Sequence, residues 1–292
     1  MTTDSSVAAA VPLTPRLPSL PLAVALVAYV VLFADPIRLL ALDWWNDPEA
    51  GHGLLLAPLA IWLAWKAGVR EGARRQVALG AGMILFAVFA RYVGGLAAEV
   101  FSMRAAALLA AMGLVVSHWG FRQLLHWWLP TLLLALSIPL PSVVISTLAL
   151  PLQLQASKMG AALLEMRHVP VMLSGNLILL PNQRLFVTEA CSGLRSLTAL
   201  LALSVLIGGL WLRYPLTRLT LVFLAVPVAI VINAVRVFLT GFLVYFVSPE
   251  MGEGFMHTTE GWLMFVVAFA ILGALAWMAG RAESWVAGRR TQ

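Results

Sequence analysis

Apolar residues fill the chain in long runs, and the polar positions between them form short, mostly basic clusters. Runs lie at about 20–34, 53–65, 77–97, 103–119, 124–147, 193–212, 216–247 and 259–280. Most approach the roughly 20 residues that a helix needs to cross a bilayer core. The pattern predicts an all-α polytopic membrane protein with about eight transmembrane helices. The first run, Leu20 to Ala34, follows Arg16 and reads as an uncleaved helix rather than a signal peptide, because its cleavage site is poor. Residues 1–18 are Ser-, Thr- and Pro-rich and predict a disordered lead-in. Asp43-Trp44-Trp45-Asn46-Asp47-Pro48-Glu49 reads as a loop whose Trp pair suits a membrane interface.

Basic residues orient the spans. Lys66, Arg70, Arg74 and Arg75 form the densest cluster, which places their loop in the cytoplasm. Counting from there puts everything after Leu148 outside and returns Arg213, Arg218, Arg281, Arg289 and Arg290 to the inside. Both termini then face the cytoplasm.

Residues 149–190 are the one long stretch without the signature of a span. Leu152, Ala156, Met159 and Leu163 recur at helical spacing with Gln153, Lys158 and Glu165 off that stripe. This predicts an amphipathic helix lying in the outer interface. Val169 to Leu173, Leu177 to Leu180 and Leu185 to Thr188 read as short strands. Turn residues Ser174-Gly175-Asn176 and Pro181-Asn182-Gln183 separate them. A small extracytoplasmic helix plus β element thus leads into Cys191. A single membrane domain is expected over 19–285, with 149–190 as its external insertion and 286–292 as a cytoplasmic tail.

Composition removes the competing classes. Of 292 residues, 61% are hydrophobic and 11% charged, against about 45–50% and about a quarter in a soluble domain. A mean hydropathy of +0.92 excludes a soluble enzyme, a disordered chain and a nucleic-acid-binding domain. The net charge of +6 comes from basic residues at the ends of apolar runs, so it marks topology and no nucleic-acid partner is expected. The single cysteine allows no intrachain disulfide and no Cys-based zinc cluster. No P-loop, nucleophile elbow or dinucleotide fingerprint is present, and the scattered histidines lack metal-ligand spacing. No cofactor and no metal are expected.

Cys191 falls where the β element ends and the sixth run begins. It is either a small buried hydrophobe or a thiol whose ionised form a helix N-terminus would favour. Arg236 lies inside Val231-Ile232-Asn233-Ala234-Val235-Arg236-Val237-Phe238-Leu239, where an unpaired guanidinium is costly. Its structural readings are an inter-helix salt bridge or snorkelling, and its functional one is an anion site. His257 follows the outer loop Ser248 to Gly254 and opens the last run, as a structural residue or an acid–base. Cys191, Arg236 and His257 belong to three different helices at one expected outer boundary. A thiol, a cation and an imidazole there suit acyl transfer. Arg195 lies one turn beyond Cys191 as a supporting group. His118, Arg122 and His126 fall on the cytoplasmic side, while His52 and Arg91 receive no role.

At these residues the chain resembles the exosortase/archaeosortase family of integral membrane cysteine transpeptidases. The matching segments are Gly51-His52-Gly53, Ile138-Pro139-Leu140-Pro141-Ser142, Gly175-Asn176, Glu189-Ala190-Cys191-Ser192-Gly193-Leu194-Arg195, Asn233-Ala234-Val235-Arg236 and Gly254-Phe255-Met256-His257. Their order agrees from about residue 20 to 280, and the Glu-Ala-Cys-Ser-Gly-Leu-Arg stretch is the most specific. The resemblance implies a Cys191, Arg236 and His257 catalytic set, with Arg195 and Asn233 in support. It implies substrates that are exported proteins bearing a C-terminal sorting signal: a Pro-Glu-Pro-like motif, a transmembrane helix and a basic tail. It further implies a bacterial inner-membrane location, an active site at the periplasmic face and a link to exopolysaccharide or biofilm matrix export. The acceptor nucleophile stays open, as does protease against transpeptidase. A transporter or assembly factor for polysaccharide or lipid export, using Arg236 as its anion site, is the alternative.

Overall fold

The chain packs as two compact units, one before and one after Pro141. The structure, a computed structural model, describes residues 20–47, 50–181, 183–187, 194–248 and 254–289, without the side chains of 142, 194–196 and 254–262. The chain divides into the compact units Met1–Pro141 and Ser142–Gln292.

The first unit holds α1 (Leu20–Asn46), α2 (Gly53–Ala67), α3 (Val77–Leu96), α4 (Val100–Trp119), α5 (Phe121–His126) and α6 (Trp128–Leu136). Small residues set its tightest contact. A Cβ on Gly80 would lie 2.5 Å from that of Ser117, and one on Gly113 would lie 2.8 Å from Ile84 Cγ1. Such close approach lets α3 and α4 gain dispersion contacts that lipid cannot supply. Glu99 starts α4 by accepting the backbone N–H groups of Phe101 and Ser102. Phe33 of α1 packs into Ala87, Ala106, Ala107 and Ala110.

Two expectations fail in this unit. Asp43 to Asn46 is helical, forming the end of α1 instead of a loop. An Asp43–Arg104 ion pair of 2.6 Å and a 2.8 Å hydrogen bond from Trp44 Nε1 to Ser137 O hold that last turn. Nor is 124–147 one span. It breaks at Ser137-Ile138-Pro139-Leu140-Pro141, between α6 and the helix that begins at Ser142. Each proline lacks an N–H and pushes its predecessor out of helical geometry.

The second unit contains α7 (Ser142–Glu165), β1 (Met172–Ser174), β2 (Leu177–Leu180), β3 (Gln183–Phe186), α8 (Leu194–Trp211), α9 (Pro215–Phe246) and α10 (Gly254–Arg289). The helix expected from 149 therefore starts at Ser142. Its packed face is also displaced: Ala149, Gln153, Ala156, Ser157, Gly160, Ala161 and Leu164 are buried, whereas Leu152, Met159 and Leu163 are only partly so. The reason is smallness. A Cβ on Gly160 would lie 2.5 Å from Val237 Cγ1, and one on Gly241 would lie 2.8 Å from Leu164 Cδ1. These two contacts step four residues along both helices, so α7 and α9 run in the same direction here. Rather than lying alone in an interface, α7 packs along α9.

After α7, the N–H of Val169 bonds Leu164 O and that of His168 bonds Glu165 O, with His168 at φ +60°. This is a Schellman turn, closed by the apolar pair Leu164 and Val169. The three strands form an antiparallel sheet in the order β1-β2-β3, close to the sequence expectation. Ser174 pairs with Leu177, leaving a two-residue turn whose first position, Gly175, has φ +64°. That geometry asks for glycine. Ile178, Leu180 and Val187 pack against Ala156, Val237 and Val244, so the sheet seats on α7 and α9 together.

Helices α8, α9 and α10 share a second cluster that includes Leu200, Leu221, Ala225, Ala268 and Leu272. Buried Glu283 of α10 accepts the backbone N–H groups of Arg213 (2.9 Å) and Tyr214 (3.1 Å) and the hydroxyl of Thr217. It thereby caps the start of α9 from a different helix, where Tyr214 offers no side-chain cap. Five described helices are long and apolar enough to cross a membrane: Leu20–Asn46, Val77–Leu96, Val100–Trp119, Pro215–Phe246 and Leu263–Arg289. Gly53–Ala67 and Leu197–Trp211 are shorter apolar helices. The chain is a mostly helical, multi-pass membrane protein.

Candidate active site

Of the expected catalytic set, Arg236 is the residue whose side chain is among the described residues. It sits on α9, 21 residues beyond Pro215, or about 30 Å along a helix rising roughly 1.5 Å per residue. That is about one hydrocarbon thickness. Asn233, Arg236 and Thr240 recur on one helical face. Asn233 is buried at 5% exposure, and the Thr240 hydroxyl donates to Arg236 O at 3.0 Å.

Arg236 lines a small pocket with Val237 and Thr240 of α9 and with Leu185, Phe186 and Val187 at the end of β3. A cation thus stands against the strand end from which the chain continues to Cys191, four residues past Val187. That strand end is fixed from below. Asn176 accepts the Val187 N–H at 2.9 Å and returns its Nδ2 to Val187 O at 3.2 Å. The same Nδ2 donates to Gln153 Oε1 of α7 at 3.2 Å. The Ser157 hydroxyl in turn donates to Gln153 O at 2.8 Å. A polar clamp therefore ties the β1–β2 turn, the exit of β3 and α7 in a place where unpaired amides would be costly.

Cys191 lies outside the described residues, as do the side chains of Arg195 and His257. Leu194, three residues after Cys191, is the first residue of α8, and His257 belongs to the first turn of α10. Sequence reasoning missed Gln153 as a clamp, reading it as the polar face of a surface helix. Asn176 was legible as a turn residue and as part of a family-like Gly-Asn pair, without its partners. A glutamine among small residues was the available signal, since its amide must find partners if the small face is the packed one.

The remaining polar candidates belong to the first unit. His52 Nε2 hydrogen-bonds Leu136 O at 3.2 Å, beside the Trp44 bond to Ser137 O, so both rings satisfy carbonyls at the end of α6. A Cβ on Gly53 would lie 2.1 Å from Trp44 Nε1, which explains the glycine after His52. Arg91 places its guanidinium 5.9 Å from the Phe33 ring centre. His126 Nε2 bonds Ala67 O at 3.2 Å, and His118 stacks edge-on to Trp119.

The family model described as transmembrane exosortase matches residues 44–274. No curated protein and no solved structure gives a significant match.

Proposed function

The chain belongs to the transmembrane exosortase family, and from that premise we propose that it is a cysteine peptidase or transpeptidase of the bacterial inner membrane. It cleaves exported proteins at a C-terminal sorting signal made of a Pro-Glu-Pro-like motif, a transmembrane helix and a basic tail, in service of exopolysaccharide matrix export. The membrane domain runs over 19–285 with both termini in the cytoplasm, and the sheet after α7, with the chain from it to Cys191, lies at the periplasmic face. The substrate helix rests in the bilayer and holds its motif at the outer boundary.

In this reading Cys191 attacks the scissile carbonyl as a thiolate. The carbon–nitrogen bond breaks, a thioester forms, and His257 gives its proton to the leaving amine. Arg236 stabilises the oxyanion, while Asn233 and Arg195 support the set. Water or an acceptor amine then resolves the thioester. The observation that supports the reading is the pocket in which Arg236 faces the strand end leading to Cys191.

The test is cleavage of a reporter bearing the sorting signal, in membranes, across roughly pH 5.5 to 9. Cys191→Ala abolishes processing while the protein still accumulates, since a small-to-small change costs little stability. Arg236→Lys retains little activity because a point charge replaces a planar fork. His257→Ala flattens the neutral limb of the profile. Full processing by Cys191→Ala would overturn the assignment of Cys191 as the nucleophile and leave it a packed thiol.

A further inference from the structure

The ends of α8 and α10 and the start of α9 enclose a cavity of about 330 Å³ whose wall includes Trp211, Arg213, Tyr214, Trp277, Arg281 and Glu283. Its charge balance is decided by what each group already does. Glu283 is the carboxylate of that wall, and it is engaged by two backbone N–H groups and the Thr217 hydroxyl. Among the described residues neither the Arg213 nor the Arg281 guanidinium forms an ion pair. The wall therefore holds two arginines against one carboxylate whose oxygens are already taken, and it presents a net positive charge to whatever enters it.

The aromatic groups narrow the class of ligand. The Arg281 guanidinium lies 5.0 Å from the Trp277 ring centre, which occupies its face and leaves its N–H edge for an anion. Trp211 and Trp277 are more than half exposed, as indole rings are where hydrocarbon gives way to headgroups. Positive charge and exposed indoles at one mouth match a ligand that is anionic at one end and apolar at the other.

We propose that this cavity binds the phosphodiester headgroup of an anionic phospholipid. Arg213 and Arg281 hold the phosphate, and Trp211 and Trp277 lie against the glycerol and upper acyl chains. The site is independent of the catalytic reading above and sits at the opposite end of α9 from Arg236.

The experiment uses the full-length protein in detergent, titrated with phosphatidylglycerol, phosphatidylcholine or inorganic phosphate and read by native mass spectrometry. Phosphatidylglycerol binds more tightly than phosphatidylcholine. Arg213→Gln with Arg281→Gln weakens it about 30-fold, from about fivefold per arginine. Arg289→Gln, which removes a cation outside the cavity wall, changes it less than either single variant. A pair of lysine substitutions at 213 and 281 keeps most of the affinity and guards against a glutamine pair that misfolds. Unchanged phosphatidylglycerol binding in the folded glutamine pair would overturn the proposal. So would inorganic phosphate competing as well as the lipid, which would assign the site to free phosphate.

Discussion

Replacing Asn176 with alanine would cut the clamp that holds the exit of β3. The side chain gives 3.2 Å hydrogen bonds to Val187 O and to Gln153 Oε1, each contributing about 1 kcal/mol net. Gln153 is 7% exposed, so its stranded amide oxygen adds a penalty of about 1–3 kcal/mol. The loss should come to about 3–5 kcal/mol. The main-chain bond between Val187 N–H and Asn176 O survives the substitution, so the strand end loosens without detaching. Displacement of a reacting group by about 1 Å can cost about 100-fold, and reporter cleavage should fall by roughly 10–100-fold without vanishing. Stability is measured by heat unfolding in detergent and activity in membranes. A cycle with Gln153→Leu separates the terms, because leucine removes the amide that Asn176→Ala strands. The double variant should recover about 1 kcal/mol relative to the sum of the singles. Strict additivity, or a loss below about 0.5 kcal/mol, would refute the clamp.

Two further outcomes test the seat of the sheet. Gly160→Ala should destabilise by about 1–3 kcal/mol, since its Cβ would stand 2.5 Å from Val237 Cγ1. Adding Val237→Ala should restore part of that loss in the same unfolding assay, and no loss in Gly160→Ala would rule out the close approach of α7 to α9. His168→Gly should stabilise by about 0.5–1 kcal/mol, because relief of the left-handed strain exceeds the entropy that glycine costs. A lower unfolding midpoint in that variant would instead show that the imidazole itself holds the turn.

Five of the expected spans and the small sheet were legible because each is written in many residues at once. Leu177 to Leu180 and the turn at Gly175 needed only alternation and one glycine, and the sheet followed. Helix α7 was read one face away from its packed side because bulk was taken as the mark of burial. In a contact between closely approaching helices, Ala156, Gly160 and Ala161 carry the packing and the larger leucines turn partly outward. The break at Pro139 and Pro141 was visible in the letters, yet the apolar run around it outweighed two residues. Partners distant in sequence were the least legible. Nothing local to Glu283 signals that it caps α9, about 70 residues earlier, or that Trp44 meets Ser137 O. Arg236 stood out because its charge is anomalous for its neighbours, whereas Gln153 did not, because a neutral amide is unremarkable until its surroundings are known.

The Glu283 cap makes α9 a ruler. With Arg213 and Tyr214 fastened to α10, the zero mark of the helix is fixed, and Arg236 is a graduation 21 residues along it. Adding one residue between them would raise the guanidinium by about 1.5 Å and swing it by about 100° relative to α8 and α10. Adding seven would bring it back to nearly the same heading but about 10 Å too far along. Substitutions in this stretch can therefore be absorbed as packing permits, while changes of length cannot, and the tolerance of α9 to insertion should be lowest where its sequence is most uniformly apolar.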